Sequence, residues 1–112
     1  METETSFDIN MMRVAAQKAT SMLRVMANED RLLLLCQLTH GEKSVGELEQ
    51  LLDIRQPTLS QQLGVLRIDG LVVTRREGKR IYYSVADANV RALLKTLYEL
   101  YCPKDLGVMD VD

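Results

Sequence analysis

The sequence predicts a mainly α fold with one small β-hairpin, in the order α-α-α-α-β-β-α. Three observations carry this. Leu, Ala, Val and Met recur with helical spacing in successive stretches. Two alternating segments flank Glu77-Gly78-Lys79, as the strands of a hairpin do. A short helix, a tight turn and a second helix with a polar face stand directly before that hairpin, which specifies a winged helix-turn-helix.

The first helix is expected over about Ile9 to Met26, from the stripe Met12, Ala15, Ala16, Ala19, Met22, Leu23 and Met26. Asn28 reads as the N-cap of the next, with Glu29 and Asp30 in the first turn facing the positive end of the dipole. That helix, to about Leu38, is apolar nearly all round and belongs in a core. Ser44 and Glu47 form a capping box that opens a helix to Leu52. After a turn at Asp53 to Arg55, Pro57 marks the start of a helix that Gly70 ends. Leu59, Leu63 and Leu66 point inward there, leaving Thr58, Ser60, Gln61 and Gln62 more outward. Leu71 to Arg76 and Arg80 to Val85 are the strands, joined by the Gly78 turn. A last helix covers roughly Asp87 to Tyr101, with Val90, Leu93, Leu94, Leu97, Leu100 and Tyr101 on one apolar face; Pro103 closes it.

At 112 residues the chain is the size of one domain. An acidic arm, 1–8, and an acidic tail, 103–112, read as disordered flanks. With 46% hydrophobic and 27% charged residues the composition is that of a globular protein. Aromatics are 4% with no Trp, so the core must be built from Leu, Val, Ala and Met. No apolar run is long enough to span a membrane, and the acidic N-terminus lacks the basic and apolar regions of a secretory signal. The expected location is cytoplasmic, with no membrane partner.

Net charge is −2, but it is unevenly spread. From Arg55 to Arg80 six basic residues face only Asp69 and Glu77. A basic face on an acidic body is the electrostatic footprint of a DNA reader. The second helix of a helix-turn-helix enters the major groove, where Gln and Ser suit base edges. Gln56, Thr58, Ser60 and Gln61 are the candidate readers. Arg75, Arg76, Lys79 and Arg80 of the wing suit phosphates or a narrow minor groove. Ser44, at the start of the preceding helix, joins the candidate DNA contacts. Arg55 fits a phosphate contact or an exposed turn equally. The wide apolar stripes on the first and last helices suit packing across a two-fold axis, giving a homodimer matched to a palindromic operator. No carboxylate pair, Ser-His constellation or phosphate-cradling glycine loop points to an enzyme.

From Asn28 to Tyr101 the chain resembles the ArsR (SmtB) family of bacterial repressors. The stretches that carry the resemblance are SVGELEQLLDIRQPTLSQQLGVLRIDGLV, 44–72, and the wing TRREGKRIYYSV, 74–85. The resemblance implies a homodimer that represses in one state and releases double-stranded operator DNA on meeting an inducer. It also implies base or nearby phosphate contacts from Gln56, Ser60 and Gln61. Many members sense metals, but the ligand sets are not matched here. Ser44 stands where a thiolate is required, and only Asp87 matches the last-helix site, with Asn89, Leu100 and Pro103 in the other positions. His40, the single histidine, reads as a loop residue; no metal or other cofactor is expected.

Two cysteines remain, Cys36 in L-L-L-C-Q-L and Cys102 in Y-E-L-Y-C-P. From the residues alone they read equally as a sensing pair or as a core cysteine plus an incidental one. Their placement is similar to the branch of the family whose dithiol becomes bridged by reactive sulfur, which implies redox sensing by Cys36 and Cys102 with a persulfide as inducer. Burial of Cys36 in an apolar run is expected to slow its chemistry. The alternatives are a peroxide-responsive or ligand-independent regulator of the same family, and a winged helix used as a protein-interaction module.

Overall fold

A computed structural model describes residues 8–102. The expected arm, apart from Asp8, and the tail with its Pro103 lie outside the described residues. Within them the elements are α1 (Ile9–Met26), α2 (Glu29–Leu38), β1 (Lys43–Ser44), α3 (Val45–Leu52), α4 (Gln56–Ile68), β2 (Val72–Glu77), β3 (Arg80–Val85) and α5 (Ala88–Tyr101).

Most helix boundaries have a local cause. Asp8, Asn28 and Asp87 each cap a helix by accepting a first-turn N–H, from Asn10, Arg31 and Asn89 at 3.0, 3.0 and 2.8 Å. The capping box is complete. The Glu47 N–H donates to Ser44 Oγ at 3.2 Å, and the Ser44 N–H donates to Glu47 Oε1 at 2.8 Å. At the end of α4 the Leu71 N–H reaches the Leu66 carbonyl and the Gly70 N–H reaches that of Arg67. This paired closure needs a left-handed residue between, and Gly70 supplies it at φ 80°. The turn between α3 and α4 uses Asp53 in the left-handed region, φ 56° and ψ 40°, where a short polar side chain is tolerated.

The sheet departs from the expected hairpin in two ways. It has a third strand: β1 pairs antiparallel with β3, Lys43 opposite Tyr83 and Ser44 opposite Tyr82, giving the order β1-β3-β2. Two residues are too short to show periodicity, so only the pairing reveals them. The turn is also tighter. Glu77 pairs with Arg80, leaving Gly78 and Lys79 as a two-residue loop. Gly78 has φ 65°, the sign required at the first position of a II′ turn.

The core is leucine-rich, as the scarcity of aromatics requires. Leu34, Leu35 and Leu38 of α2 pack with Leu48 of α3 and with Leu59, Leu63 and Leu66 of α4, all fully or almost fully buried. Each is worth roughly 1.5–3 kcal/mol of burial. Helix α2 is the hub, touching α1, α3, α4 and β3. Helix α1 behaves differently. Every residue from Asp8 to Ser21 is exposed, and only its last two turns reach the core, through Met22, Val25 and Met26. No helix among the described residues is long and apolar enough to cross a membrane.

Candidate nucleic-acid interface and thiol pair

Burying Leu59, Leu63 and Leu66 rotates the opposite side of α4 to the surface, where Gln56, Thr58, Ser60 and Gln61 are all exposed. Pro57 sits at the second helical position, where no N–H is needed. Ser60 Oγ donates to Gln56 Oε1 at 2.9 Å, one turn away, so two candidate readers are ordered against each other. No side chain caps this helix, which leaves its first-turn donors open toward an anion such as phosphate. Gln62 belongs elsewhere: it is half-buried and accepts a hydrogen bond from Arg31.

The wing presents Arg76, Lys79 and Arg80 to solvent. Arg75 is occupied. It stands opposite Tyr82 in the β2–β3 register, with its guanidinium 4.9 Å from the ring centroid. It reaches past that ring to Glu42, with Nε at 3.2 Å from Oε2 and Nη2 at 2.6 Å from Oε1, while Nη1 meets Glu77 Oε1 at 2.9 Å. The Glu42 carboxyl is held below its ordinary pKa, chiefly by the hydrogen bonds from Arg75. The guanidinium is held still more firmly protonated, by Glu42 first and Glu77 second. Arg75 therefore braces the wing against the loop before β1, with its side chain still half exposed. Ser44 is likewise committed: it is 7% exposed, and its hydroxyl closes the capping box. In this arrangement its side chain is not offered to DNA.

Cys36 and Cys102 are free cysteines and both half-buried. Cys36 packs against the edge of the core from α2, and Cys102 caps the C-terminal end of α5. They lie within electrostatic reach of each other. The Cys36 thiol is pushed above its ordinary pKa by burial first and by a Cys102 thiolate second. The apolar run thus leaves Cys36 shielded but not sealed. Asp87, which matches a metal-ligand position of the resembled family, serves as the α5 cap, and His40 is exposed at the end of α2. Among the described residues no three His, Cys, Asp or Glu side chains converge to hold a metal ion.

Known proteins share this architecture. The model of the bacterial regulatory protein arsR family matches residues 28–74, from the Asn28 cap to the start of the wing. The biofilm growth-associated repressor of Agrobacterium fabrum is 52% identical over 91 residues, covering 81% of this chain and 78% of its own length. The transcriptional repressor BigR from Xylella fastidiosa superposes with a TM-score of 0.79 at 45% identity, covering 85% of this chain and 97% of that one. Reduced HlyU from Vibrio cholerae N16961 gives 0.79 at 44% identity, over 83% and 98% of the two chains. Identity at this level across nearly whole relatives, on the same winged helix-turn-helix, means that the chain belongs to the arsR family of bacterial regulatory proteins, and not to the enzymes.

Proposed function

We propose that this chain is a homodimeric transcriptional repressor that grips a palindromic operator through α4 and the wing and releases it when the Cys36/Cys102 dithiol reacts with a persulfide. Gln56, Thr58, Ser60 and Gln61 read base edges, and Arg76, Lys79 and Arg80 hold phosphates, with Arg75 and Ser44 shaping the elements that carry them. The dimer forms through α1 and α5. Support for it comes from Ile9, Met11, Met12, Val14, Leu100 and Tyr101, which are between half and four-fifths exposed on those two helices. Several large apolar side chains at helix ends that their own chain leaves uncovered mark an interaction surface.

The sensing step is supported by two half-buried free thiols, one on α2 and one at the end of α5, that lie within electrostatic reach of each other. The chemistry is two thiol exchanges. Because burial raises the Cys36 thiol, Cys102 attacks first. Its thiolate takes the outer sulfur of R–S–SH, forming Cys102–S–SH and expelling R–S⁻. The Cys36 thiolate then attacks the inner sulfur, forming the bridge and expelling HS⁻. The two electrons lost by the dithiol reduce one sulfane sulfur to sulfide. A bridge of this kind ties α5 to α2, shifting the interface helix relative to the reading helix, and a small change in spacing misplaces both half-sites on a stiff duplex.

Fluorescence anisotropy on the DNA upstream of the protein's own gene tests this. Reduced protein should bind, persulfide-treated protein should not, and reductant should restore binding. Cys36→Ser and Cys102→Ser should both stay bound under persulfide. Equal binding in both states would remove the cysteines from function while leaving DNA recognition. Release by hydrogen peroxide and not by persulfide would change the inducer.

A further inference from the structure

One side chain ties three helices together. Arg31 lies in the first turn of α2, and its guanidinium reaches in two directions. Nε donates to the Val25 carbonyl at 2.5 Å, in the last turn of α1. Nη1 donates to Gln62 Oε1 at 2.9 Å, in the middle of α4 and next to the exposed Gln61. The first bond satisfies a carbonyl that the end of α1 leaves without a helical partner and places a positive charge at the negative end of its dipole. Only Ala27 and Asn28 separate α1 from α2, so this bond also closes the corner between them. The second bond attaches the corner to the reading helix. A guanidinium is planar and its donors keep fixed directions, so the two acceptors cannot move independently without one bond being lost.

We propose that Arg31 is a positioning residue, through which the corner of α1 and α2 sets the pose of α4 for DNA. The inference rests on the reading of α4 as the DNA-contacting helix. Its consequence is that a residue remote from DNA controls discrimination among sequences. Helix α1 is the arm left uncovered by its own chain, and Cys36 lies five residues further along α2. A displacement of α1 is therefore passed to α4 through this fork, alongside the leucine contacts that already join α2 to α4. Sequence reasoning had no signal for it, since Arg31 and Gln62 are 31 positions apart and each alone reads as a polar surface residue.

The test uses the full chain with Arg31→Lys, Gln62→Met and the double variant. Lys keeps the charge without the fork, and Met keeps the volume without the acceptor. Affinity for operator and for scrambled duplex is measured across a salt series, and amide hydrogen exchange is followed along α4. Each single variant should lose about tenfold in operator affinity, the scale of one hydrogen bond to a charged group. Scrambled-duplex affinity and the salt slope should not change, since no phosphate contact is removed. The double variant should be no worse than Arg31→Lys, because that change already removes the bond to Gln62. Exchange along α4 should quicken in all three. Equal losses on operator and scrambled DNA, additive losses, or unchanged exchange in folded Gln62→Met would each overturn the proposal. If the wild type fails to prefer operator, the DNA reading falls, and the exchange data still decide whether Arg31 holds α4.

Discussion

Arg75 and Glu42 meet in a two-bond fork across the central strand of the sheet, at 2.6 and 3.2 Å, with the Tyr82 ring against the guanidinium on the way. Glu42 precedes β1, Arg75 is on β2, and β3 lies between them. On the proposed reading, a wing held at its base in this way meets DNA as a preset element. Both partners are substantially exposed, so the contribution to global stability is small and the geometric one is what counts.

Arg75→Ala should therefore weaken operator binding without altering its salt dependence, whereas Arg76→Ala should lower the slope by about one per subunit, as loss of a phosphate contact does. Anisotropy over a salt series separates the two. A slope change in Arg75→Ala equal to that in Arg76→Ala would make Arg75 a phosphate ligand after all.

The same pair has a pH signature. Glu42 is acidified by Arg75, so the ion pair is complete above the ordinary glutamate range and is lost only as pH falls through the depressed value. Carboxyl titration by NMR should find Glu42 below the ordinary glutamate range in the wild type. In Arg75→Ala it should move up toward that range.

Ser44→Ala should cost about 1 kcal/mol in urea unfolding, from loss of the α3 cap. Its salt slope on DNA should match the wild type, because the hydroxyl that is removed caps a helix. A reduced slope at full stability would return Ser44 to the DNA contacts.

Cys36 should be a slow thiol. Its raised pKa favours the protonated form in the folded state; that stabilisation is complete below the ordinary thiol range and lost as pH rises through the raised value. Iodoacetamide labelling, followed by mass spectrometry, should accelerate about tenfold per pH unit through neutrality and flatten only above the ordinary thiol range. In Cys102→Ser the profile should shift to lower pH, because a neighbouring negative charge is gone. A plateau near neutral pH would show an activated thiol and reverse the proposed order of attack.

Met11→Glu with Val14→Glu should yield a folded monomer, since both residues are more than half exposed and neither joins the core. Analytical ultracentrifugation reads the mass and circular dichroism reads the fold. Operator affinity should fall at least about a hundredfold as one half-site is lost. A dimer that survives the pair of charges would place the interface elsewhere.

Local chemistry was legible in this chain. Asn28, the Ser44–Glu47 box and Gly70 each act on neighbours a few residues away, and all do in the structure what their spacing requires. The three-leucine spacing of α4 was enough to assign Gln56, Thr58, Ser60 and Gln61 to the exposed side, because a helix turns a fixed angle per residue. The apolar stripes of α1 and α5 were legible as stripes, but their division between core and surface was not. Met26, Val90 and Leu94 are buried, while Met12, Leu100 and Tyr101 are exposed.

What the sequence by itself determined, then, is the order of helices and strands, where most of them stop, and which face of the reading helix is polar. Tertiary structure alone decided that β1 completes the sheet, that Arg75 pairs with Glu42, that Arg31 joins α1 to α4, and that Cys36 comes within electrostatic reach of Cys102. The division has one physical cause. Caps, turns and helical faces arise from bonds within a turn or two, which residue spacing specifies directly. The other contacts join residues 31, 33 or more positions apart. Their partners are chosen by how the leucine core packs the elements together, and no local pattern records that choice.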